Sequence, residues 1–244
     1  MEREQAIAAL VRLHALSSFD PPGPRSITLL GRNVTDTDLE PLAAFPDLEF
    51  LEFRFTGVTG PGLVHLRGLS RLHTLILDTT PVTDAGLACL EDLKELVNLE
   101  LPYCKQVTDT GVAYLKGLTR LRGLKLCDTQ VTDTGLSFLE ALTDLEELDL
   151  HLTPITDAGL VHLRRLTRLR ELDLSHTHVT DAGLKHLEEL TGLVELKLEE
   201  TKVGHSGVEA LRRCLPRVWV IYGPESAPVH TGQTGLSGRG GNLR

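Results

Sequence analysis

Aromatic and sulfur-containing residues are scarce in this chain of 244 residues. Aromatics make up 4% of the sequence and there is one Met, whereas hydrophobic residues make up 41%. The core must therefore be built from aliphatic side chains. The length is enough for one large domain or for an extended array of repeats.

Long apolar runs are also missing. No run approaches the ~18 residues that a transmembrane helix requires. The N-terminus, MEREQAIAALVRLHAL, starts with mixed charge and lacks a clean apolar region followed by a small-residue cleavage site. The four cysteines, Cys89, Cys104, Cys127 and Cys214, show no C-x-x-C spacing. We therefore expect a reduced, cytoplasmic chain that does not contact membranes.

Positive charge is in short supply, since the formal net charge is −9. A general nucleic-acid binder carries a basic face, so this balance argues against nucleic acid as a partner and against an anionic membrane surface. No Walker-type phosphate loop, H-E-x-x-H or G-x-S-x-G sequence occurs. We expect neither catalysis nor a cofactor.

A repeated leucine pattern dominates the chain. Its L-x-L pieces (L-x-F in the first) recur at steps of 24, 24, 25, 24, 24 and 24 residues, starting at Leu51, Leu75, Leu99, Leu124, Leu148, Leu172 and Leu196. One further step in each direction reaches Ile27 and Val220. The period predicts eight repeats from residue 27 to 219 and a closing strand.

Each repeat has the pattern of a strand, a turn and a helical segment. The alternating L-x-L predicts a strand with both leucines on one side. A turn follows with a Thr such as Thr153, and then V/I-T-D-x-G-L, where Thr and Asp suit a helix N-cap and Gly lets neighbouring backbones approach. Stacked repeats would bury their leucines, each contributing about 1.5–3 kcal/mol. Because helices are wider than strands, the sheet should form the concave side.

The repeat L-x-x-L-x-L-x-x-T-x-V-T-D-A-G-L-x-x-L resembles the leucine-rich repeat from about residue 27 to 222, with Thr where Asn or Cys is usual. The T-D-x-G-L phrase resembles the cysteine-containing helical subclass of F-box receptors and many bacterial repeat proteins, although no F-box is present. Cys104 occupies the Asn/Cys position, which implies a structural role. The resemblance implies an α/β fold: a right-handed, horseshoe-shaped solenoid with a concave parallel sheet and short convex helices.

Three segments are predicted. Residues 1–26 should form a capping helix over 2–16 and a Pro-rich connector, residues 27–223 the leucine-rich-repeat domain, and residues 224–244, rich in Gly, Ser, Pro and Thr, a disordered tail. The apolar face of the helix should contain Ile7, Leu10, Val11 and His14, spaced i, i+3, i+4 and i+7. The alternative to a cap is a partner-binding helix.

Residues on the concave face have no packing role and are the predicted partner-binding site. In the upstream half this face is partly apolar, and in the downstream half it is mostly acidic, with Glu147, Glu171 and Glu195 in one column on successive strands. The full predicted set is Phe50, Glu52, Phe55, Ile76, Tyr103, Glu147, Asp149, His151, Glu171, Asp173, His176, Glu195 and Glu199. The alternative is a solvated face produced by repeat duplication.

The sequence therefore predicts a non-catalytic, monomeric module that binds a protein or peptide, in particular a basic segment, on its concave face. One alternative is a scaffold or regulatory subunit of a larger assembly, such as a substrate-recognition subunit. A remote alternative is a metal-binding protein, because His151 and His176 follow adjacent strands near Asp149 and Asp173.

Overall fold

The computed structural model describes residues 2–17 and 23–223. One strand recurs in each repeat: β1 Ser26–Leu30, β2 Phe50–Arg54, β3 Thr74–Asp78, β4 Asn98–Glu100, β5 Gly123–Lys125, β6 Glu147–Asp149, β7 Glu171–Asp173, β8 Glu195–Glu199 and β9 Trp219–Gly223. The nine strands form a single parallel sheet in chain order. The predicted disorder of residues 224–244 lies outside the described residues, as do Pro21 and Pro22 of the connector.

The register of the sheet confirms the predicted period. Each L-x-L piece pairs with its equivalent in the next repeat, from Ile27 opposite Leu51 to Leu196 opposite Val220. The 25-residue step does not disturb this pairing, since Leu99 still lies opposite Leu124. The extra residue is accommodated in the turn between Cys104 and Val107, outside the sheet.

The helical segments that connect one strand to the next are short. α-Helices occur at α1 Arg3–Arg12, α2 Asp84–Leu87, α3 Asp109–Ala113, α4 Asp133–Leu136 and α5 His205–Cys214. Most of the remaining length is 3₁₀ helix: Asp36–Asp38, Glu40–Ala44, Pro61–Leu66, Ala88–Leu90, Tyr114–Gly117, Ser137–Ala141, Gly159–Leu163 and Leu184–His186. A 3₁₀ turn rises about 2.0 Å per residue against about 1.5 Å in an α-helix, so a short repeat covers more distance with it.

The N-terminal helix packs on the first repeat, but through a different face from the predicted one. Ala6 and Leu10 are fully buried against the Glu40–Ala44 segment, whereas Val11 is 55% exposed and His14 is exposed. The helix ends at Arg12, and Leu16 then forms an antiparallel bridge with Thr28 of β1. These contacts cover the first edge of the array, as a cap would, and the segment boundaries stay a prediction.

The core is aliphatic, as the composition predicts. Strand leucines such as Leu51, Leu75 and Leu148 are at most 1% exposed, and Phe45 and Phe53 are the only aromatic side chains buried in the described core. In five repeats the turn after the strand is closed by the hydroxyl of a threonine, which donates to the carbonyl oxygen three residues earlier. The Oγ1 of Thr153, for example, donates to the carbonyl oxygen of Leu150 at 2.5 Å.

Cys104 also closes a turn by donating a hydrogen bond, but its acceptor lies in the preceding repeat. Its Sγ donates to the carbonyl oxygen of Leu77 at 2.9 Å, and it lies 3.4 Å from Thr80 Oγ1. Burial raises the pKa of the Cys104 thiol to about 11, which keeps the proton on sulfur for this bond. The contacts support the structural role that the repeat pattern implies.

The aspartate of T-D-x-G-L does not cap its own helix, contrary to our expectation. Asp133 accepts the backbone N–H and the hydroxyl of Thr156, in the next repeat, at 2.8 and 2.6 Å. The same pairing recurs for Asp84 with Thr108, Asp109 with Thr132 and Asp157 with Thr180. The aspartates therefore form a ladder that joins successive repeats.

The regular spacing of the glycines follows mainly from this ladder, because most of them lie against an aspartate side chain of the preceding repeat. A Cβ added at Gly159 would lie 2.4 Å from Asp133 Oδ1, and one at Gly183 would lie 2.3 Å from Asp157 Oδ1. Gly86 and Gly62 do fit the expectation, because their Cβ atoms would lie 2.6 Å from the Cα of Gly60 and 2.5 Å from the carbonyl oxygen of Asp36. Gly60 stands where the repeats on either side carry Asp36 and Asp84.

Candidate functional site

The predicted site residues that belong to strands lie in parallel columns on one face of the sheet, whereas Phe55, Tyr103, His151 and His176 follow the strand ends. One column runs Phe50, Thr74, Asn98, Gly123, Glu147, Glu171, Glu195, and the neighbouring column runs Glu52, Ile76, Glu100, Lys125, Asp149, Asp173, Lys197. The alternation of buried and accessible positions along each strand places them there. We call Glu147, Asp149, Glu171, Asp173 and Glu195 the acidic patch.

Two lysines partly neutralise the acidic patch. Lys125 Nζ lies 3.2 Å from Glu100 and 3.5 Å from Glu147, and Lys197 Nζ lies 3.6 Å from Asp173 and 3.5 Å from Glu195. Burial acts to lower the pKa of Lys125, but the charges of Glu100 and Glu147 outweigh it and the pKa is raised. The sequence-based site omitted Lys125, so it overstated the negative charge of this face.

Glu171 is at the centre of the patch and is exposed. Its in-register neighbours are Glu147 and Glu195, and it has no ion pair among the described residues. The two outer glutamates each have a lysine within 3.5 Å, whereas the central one has none. The uncompensated charge of the patch is therefore greatest between β6 and β7.

The surroundings of Asp149 raise the pKa of its carboxyl group. Burial raises its pKa, and the charge of Asp173 raises it further, although the N–H of His151 donates to it at 2.9 Å and lowers it. The adjacent Cys127 thiol is buried beside both aspartates, which raises its pKa to about 12. The thiolate, which is the nucleophilic form of cysteine, is therefore disfavoured at this position.

The two histidines considered as metal ligands make contact with each other. The rings of His151 and His176 lie 5.0 Å apart between centroids and are edge-on, at 82°. They are diagonal neighbours, since the Leu148–Leu172 register places His151 opposite Ser175. In the part of the chain that the structure describes, no three His, Cys, Asp or Glu side chains come together as metal ligands.

The upstream half of the face is less uniform than predicted. Phe50 and Ile76 are half-buried, whereas Phe55 and Tyr103 are 54% and 49% exposed. Glu52 is occupied within the molecule, because it accepts hydrogen bonds from Thr28 at 3.1 Å and from Arg54 at 2.6 Å. Phe55 and Tyr103 are therefore the most accessible of the apolar side chains predicted for this half.

Leu152 was left out of the predicted site set, although it is 44% exposed. It occupies the same position of its repeat as Phe55 and Tyr103, directly before the turn threonine or cysteine. All three have positive φ, at 56°, 55° and 61° respectively. Aligning the repeats groups these residues, but only the backbone conformation shows that the position is strained.

The architecture defines the class of protein: an open solenoid of strand–turn–helix repeats. A model of the leucine-rich repeat matches residues 141–163 and 165–187. These residues form leucine-rich repeats, and the chain has the leucine-rich-repeat solenoid fold, which generally serves protein interaction. The match to the helical subclass stays a prediction.

Solved structures share the fold at low sequence identity. Internalin C2 from Listeria monocytogenes is 23% identical, with 89% of this chain and 91% of that chain covered and a TM-score of 0.70. An internalin of the same organism, InlF, is 20% identical over 78% of this chain and 57% of its own, with a TM-score of 0.58. No curated protein matches the sequence. Within residues 2–17 and 23–223, no helix has the length and hydropathy to cross a bilayer.

Proposed function

We propose that this protein is a non-catalytic adaptor that binds a basic segment of a protein or peptide on the concave face of its sheet. The observation that carries the proposal is the acidic patch, in which five carboxylates on three adjacent strands face two lysines. A cationic segment laid across β6 to β8 would supply the missing positive charge, above all beside Glu171.

The size of the repulsion between the carboxylates favours a surface that steers a charged partner towards the protein. Adjacent strands lie ~4.8 Å apart, so two in-register carboxylates repel by roughly 0.9 kcal/mol at the dielectric constant of water. The glutamate side chains are long and at least partly accessible, so the repulsion between them stays near this value. Such charges contribute to association rate and specificity, while apolar contacts upstream at Phe55 and Tyr103 would supply most of the affinity.

A peptide of alternating lysine and glycine, twelve residues long, tests the charge component. Its dissociation constant for the full chain would be measured at low salt and at 1 M salt. We expect the triple variant Glu147→Gln, Glu171→Gln, Glu195→Gln to bind at least tenfold more weakly at low salt. This difference should disappear at 1 M salt, where the Debye length is about 3 Å.

The matched control changes the same net charge on the other side of the molecule. Glu91, Glu188 and Glu189 are exposed and form no ion pair among the described residues. Their triple change to Gln should leave peptide binding within twofold of the parent chain. Equal weakening by the two triple variants would show that net charge, and not the concave face, governs binding.

The alternative of a scaffold within a larger assembly predicts a different outcome. In that case both triple variants would bind partners normally, and truncation of residues 2–16 would disrupt assembly. The packing of Ala6 and Leu10 against the first repeat favours a structural task for that helix. The adaptor role is therefore the one that we develop further.

A further inference from the structure

One residue in each of seven successive repeats has a left-handed backbone conformation. The N–H of each of the first six donates to the carbonyl oxygen of the residue before the next member, as from Phe55 to Asp78 at 3.0 Å and from Leu152 to Ser175 at 3.0 Å. These bonds hold the members in register in a row along the carboxyl edge of the sheet. This row, the turn column, is Phe55, Thr79, Tyr103, Asp128, Leu152, His176 and Glu200, with φ between 53° and 61°.

Three members of the turn column are apolar, strained and exposed. A left-handed conformation costs a residue with a Cβ about 1–2 kcal/mol, and Asn tolerates it better than Phe, Tyr or Leu. Phe55, Tyr103 and Leu152 are also 54%, 49% and 44% exposed, so burial in the fold does not offset this cost. The fold itself does not require these side chains, which points to a ligand that covers them.

The three apolar members are regularly spaced. They alternate with Thr79 and Asp128, which are half-buried. With ~4.8 Å between strands, successive apolar members are about 9.6 Å apart. This spacing restricts the conformation of any partner segment that contacts all three.

A polyproline II segment fits the spacing best. It has three residues per turn and rises 3.1 Å per residue, so one face recurs about every 9.3 Å. An α-helix brings a seventh residue back after about 10.5 Å and drifts out of register over two intervals. The third residue of an extended β-strand, about 10 Å along, points to the opposite side.

We propose that the turn column binds a proline-rich segment of a protein partner in the polyproline II conformation. This deepens the proposed function and rests on it. Every third residue of the segment would contact Phe55, Tyr103 and Leu152 in turn. Proline rings pack well on aromatic side chains, and the preformed helix loses little conformational entropy on binding. A recess of about 560 Å³ beside Tyr103, lined in part by Thr79, Pro81 and Lys105, offers space for one ring.

The acidic end of the turn column sets the register of the segment. Glu200 lies two repeats beyond Leu152, is exposed and has no ion pair among the described residues. That distance again corresponds to three residues of polyproline II. The chemistry that fits the column is therefore apolar residues at positions one, four and seven and a basic residue at position ten.

The test uses the decapeptide Pro-Ala-Pro-Pro-Ala-Pro-Pro-Ala-Pro-Arg and the full chain labelled with ¹⁵N. We expect the peptide to shift the amide resonances of Phe55, Tyr103, Leu152 and Glu200. Replacing its Arg by Glu should weaken binding at least fivefold. A Gly-Ser decapeptide ending in Arg should not bind. Absence of shifts at millimolar peptide would overturn the proposal, as would equally strong binding, at the same residues, of a helical peptide with apolar residues every seventh position.

Substitutions by Asn separate a binding role from a structural one. Phe55→Asn and Leu152→Asn should weaken binding of the proline peptide at least tenfold while leaving the fold as stable as before or more stable. Val161→Asn, which removes a 39% exposed apolar side chain from the helical segment Gly159–Leu163 and not from the turn column, should leave binding unchanged. Unchanged binding in the first two variants would overturn the proposal.

The two peptides distinguish this inference from the adaptor role itself. If the lysine-glycine peptide binds through the acidic patch and the proline peptide does not bind, the proposed function stands and the turn-column inference fails. If neither binds, both fail. Loss of proline-peptide binding in the glutamine triple variant alone would place that peptide on the acidic patch and reject the turn column as its site.

Discussion

The aspartate ladder makes a quantitative prediction at Asp133. This side chain joins its repeat to the next by accepting the N–H of Thr156 at 2.8 Å and the hydroxyl of Thr156 at 2.6 Å. The hydroxyl of Thr156 in turn accepts the N–H of Ala158 at 3.3 Å. Asp133→Ala would remove the acceptor and leave the next helical segment without its support.

The expected loss of stability follows from the kind of bonds removed. A hydrogen bond to a charged group contributes about 1.5–3 kcal/mol when it is buried. Both bonds here are half-buried, so water can replace part of what is lost. We therefore expect Asp133→Ala to lower the free energy of unfolding by about 2 kcal/mol, at the upper end for loss of a helix cap.

Urea denaturation of the full chain, followed by circular dichroism, measures this loss, provided that the m-value is unchanged. Asp144→Ala is the control, because Asp144 pairs with Arg168 at 2.6 Å while their side chains are 41% and 61% exposed. An exposed ion pair contributes about 0.2–1 kcal/mol. If Asp133→Ala and Asp144→Ala lose equal stability, the ladder does not join the repeats energetically. A double-mutant cycle with Thr156→Ala should show coupling of about 1 kcal/mol.

Three further predictions follow from the same contacts. Gly159→Ala should cost about 1–3 kcal/mol in urea denaturation, because its Cβ would lie 2.4 Å from Asp133 Oδ1, whereas Gly68→Ala, with nothing within 4 Å, should be nearly neutral. Glu171→Gln should leave the fold intact and stabilise it slightly at low salt but not at 1 M salt. It should also weaken binding of the lysine-glycine peptide. Lower stability of this variant would show that Glu171 is not repelled by the neighbouring glutamates in the folded chain. The pKa of Asp149 is raised in the folded state, so its ionised form opposes folding at pH values above that pKa. Asp149→Asn should therefore stabilise the chain at neutral pH. This gain in stability should vanish as the pH falls towards 3.8, the ordinary pKa of an aspartate.

The sequence predicts strands, register and face membership well, because these depend on local patterns. The leucines at 24-residue steps determine which residues are buried, and alternation alone puts Glu147, Glu171 and Glu195 in one column. Such contacts join equivalent positions of neighbouring repeats. A strict period therefore converts a local pattern into long-range pairing.

The rest of the site depends on geometry that the period does not specify. Asp133 has the sequence position of a helix cap, and only the packing of the next repeat shows that its partner is Thr156. Lys125 lies within ion-pair distance of Glu147 on the neighbouring strand, and this contact depends on how far the lysine side chain reaches. The positive φ at Phe55 and Leu152 arises from the tight turn before the buried threonine, and threonine alone does not predict it.

The one break in the aspartate ladder connects stability with the proposed site. Gly60 replaces aspartate in the second repeat, so the N–H of Thr83 donates to the carbonyl oxygen of Thr59 at 3.0 Å instead of to a carboxylate. A neutral acceptor gives a weaker bond than a charged one. In a solenoid, stability is the sum of repeats and nearest-neighbour interfaces, so the junction between the second and third repeats is a weak one. Phe55 and Tyr103 lie on opposite sides of this junction. A segment that binds both residues would bridge this interface. Its binding would therefore stabilise the array between the second and third repeats, where no aspartate joins them.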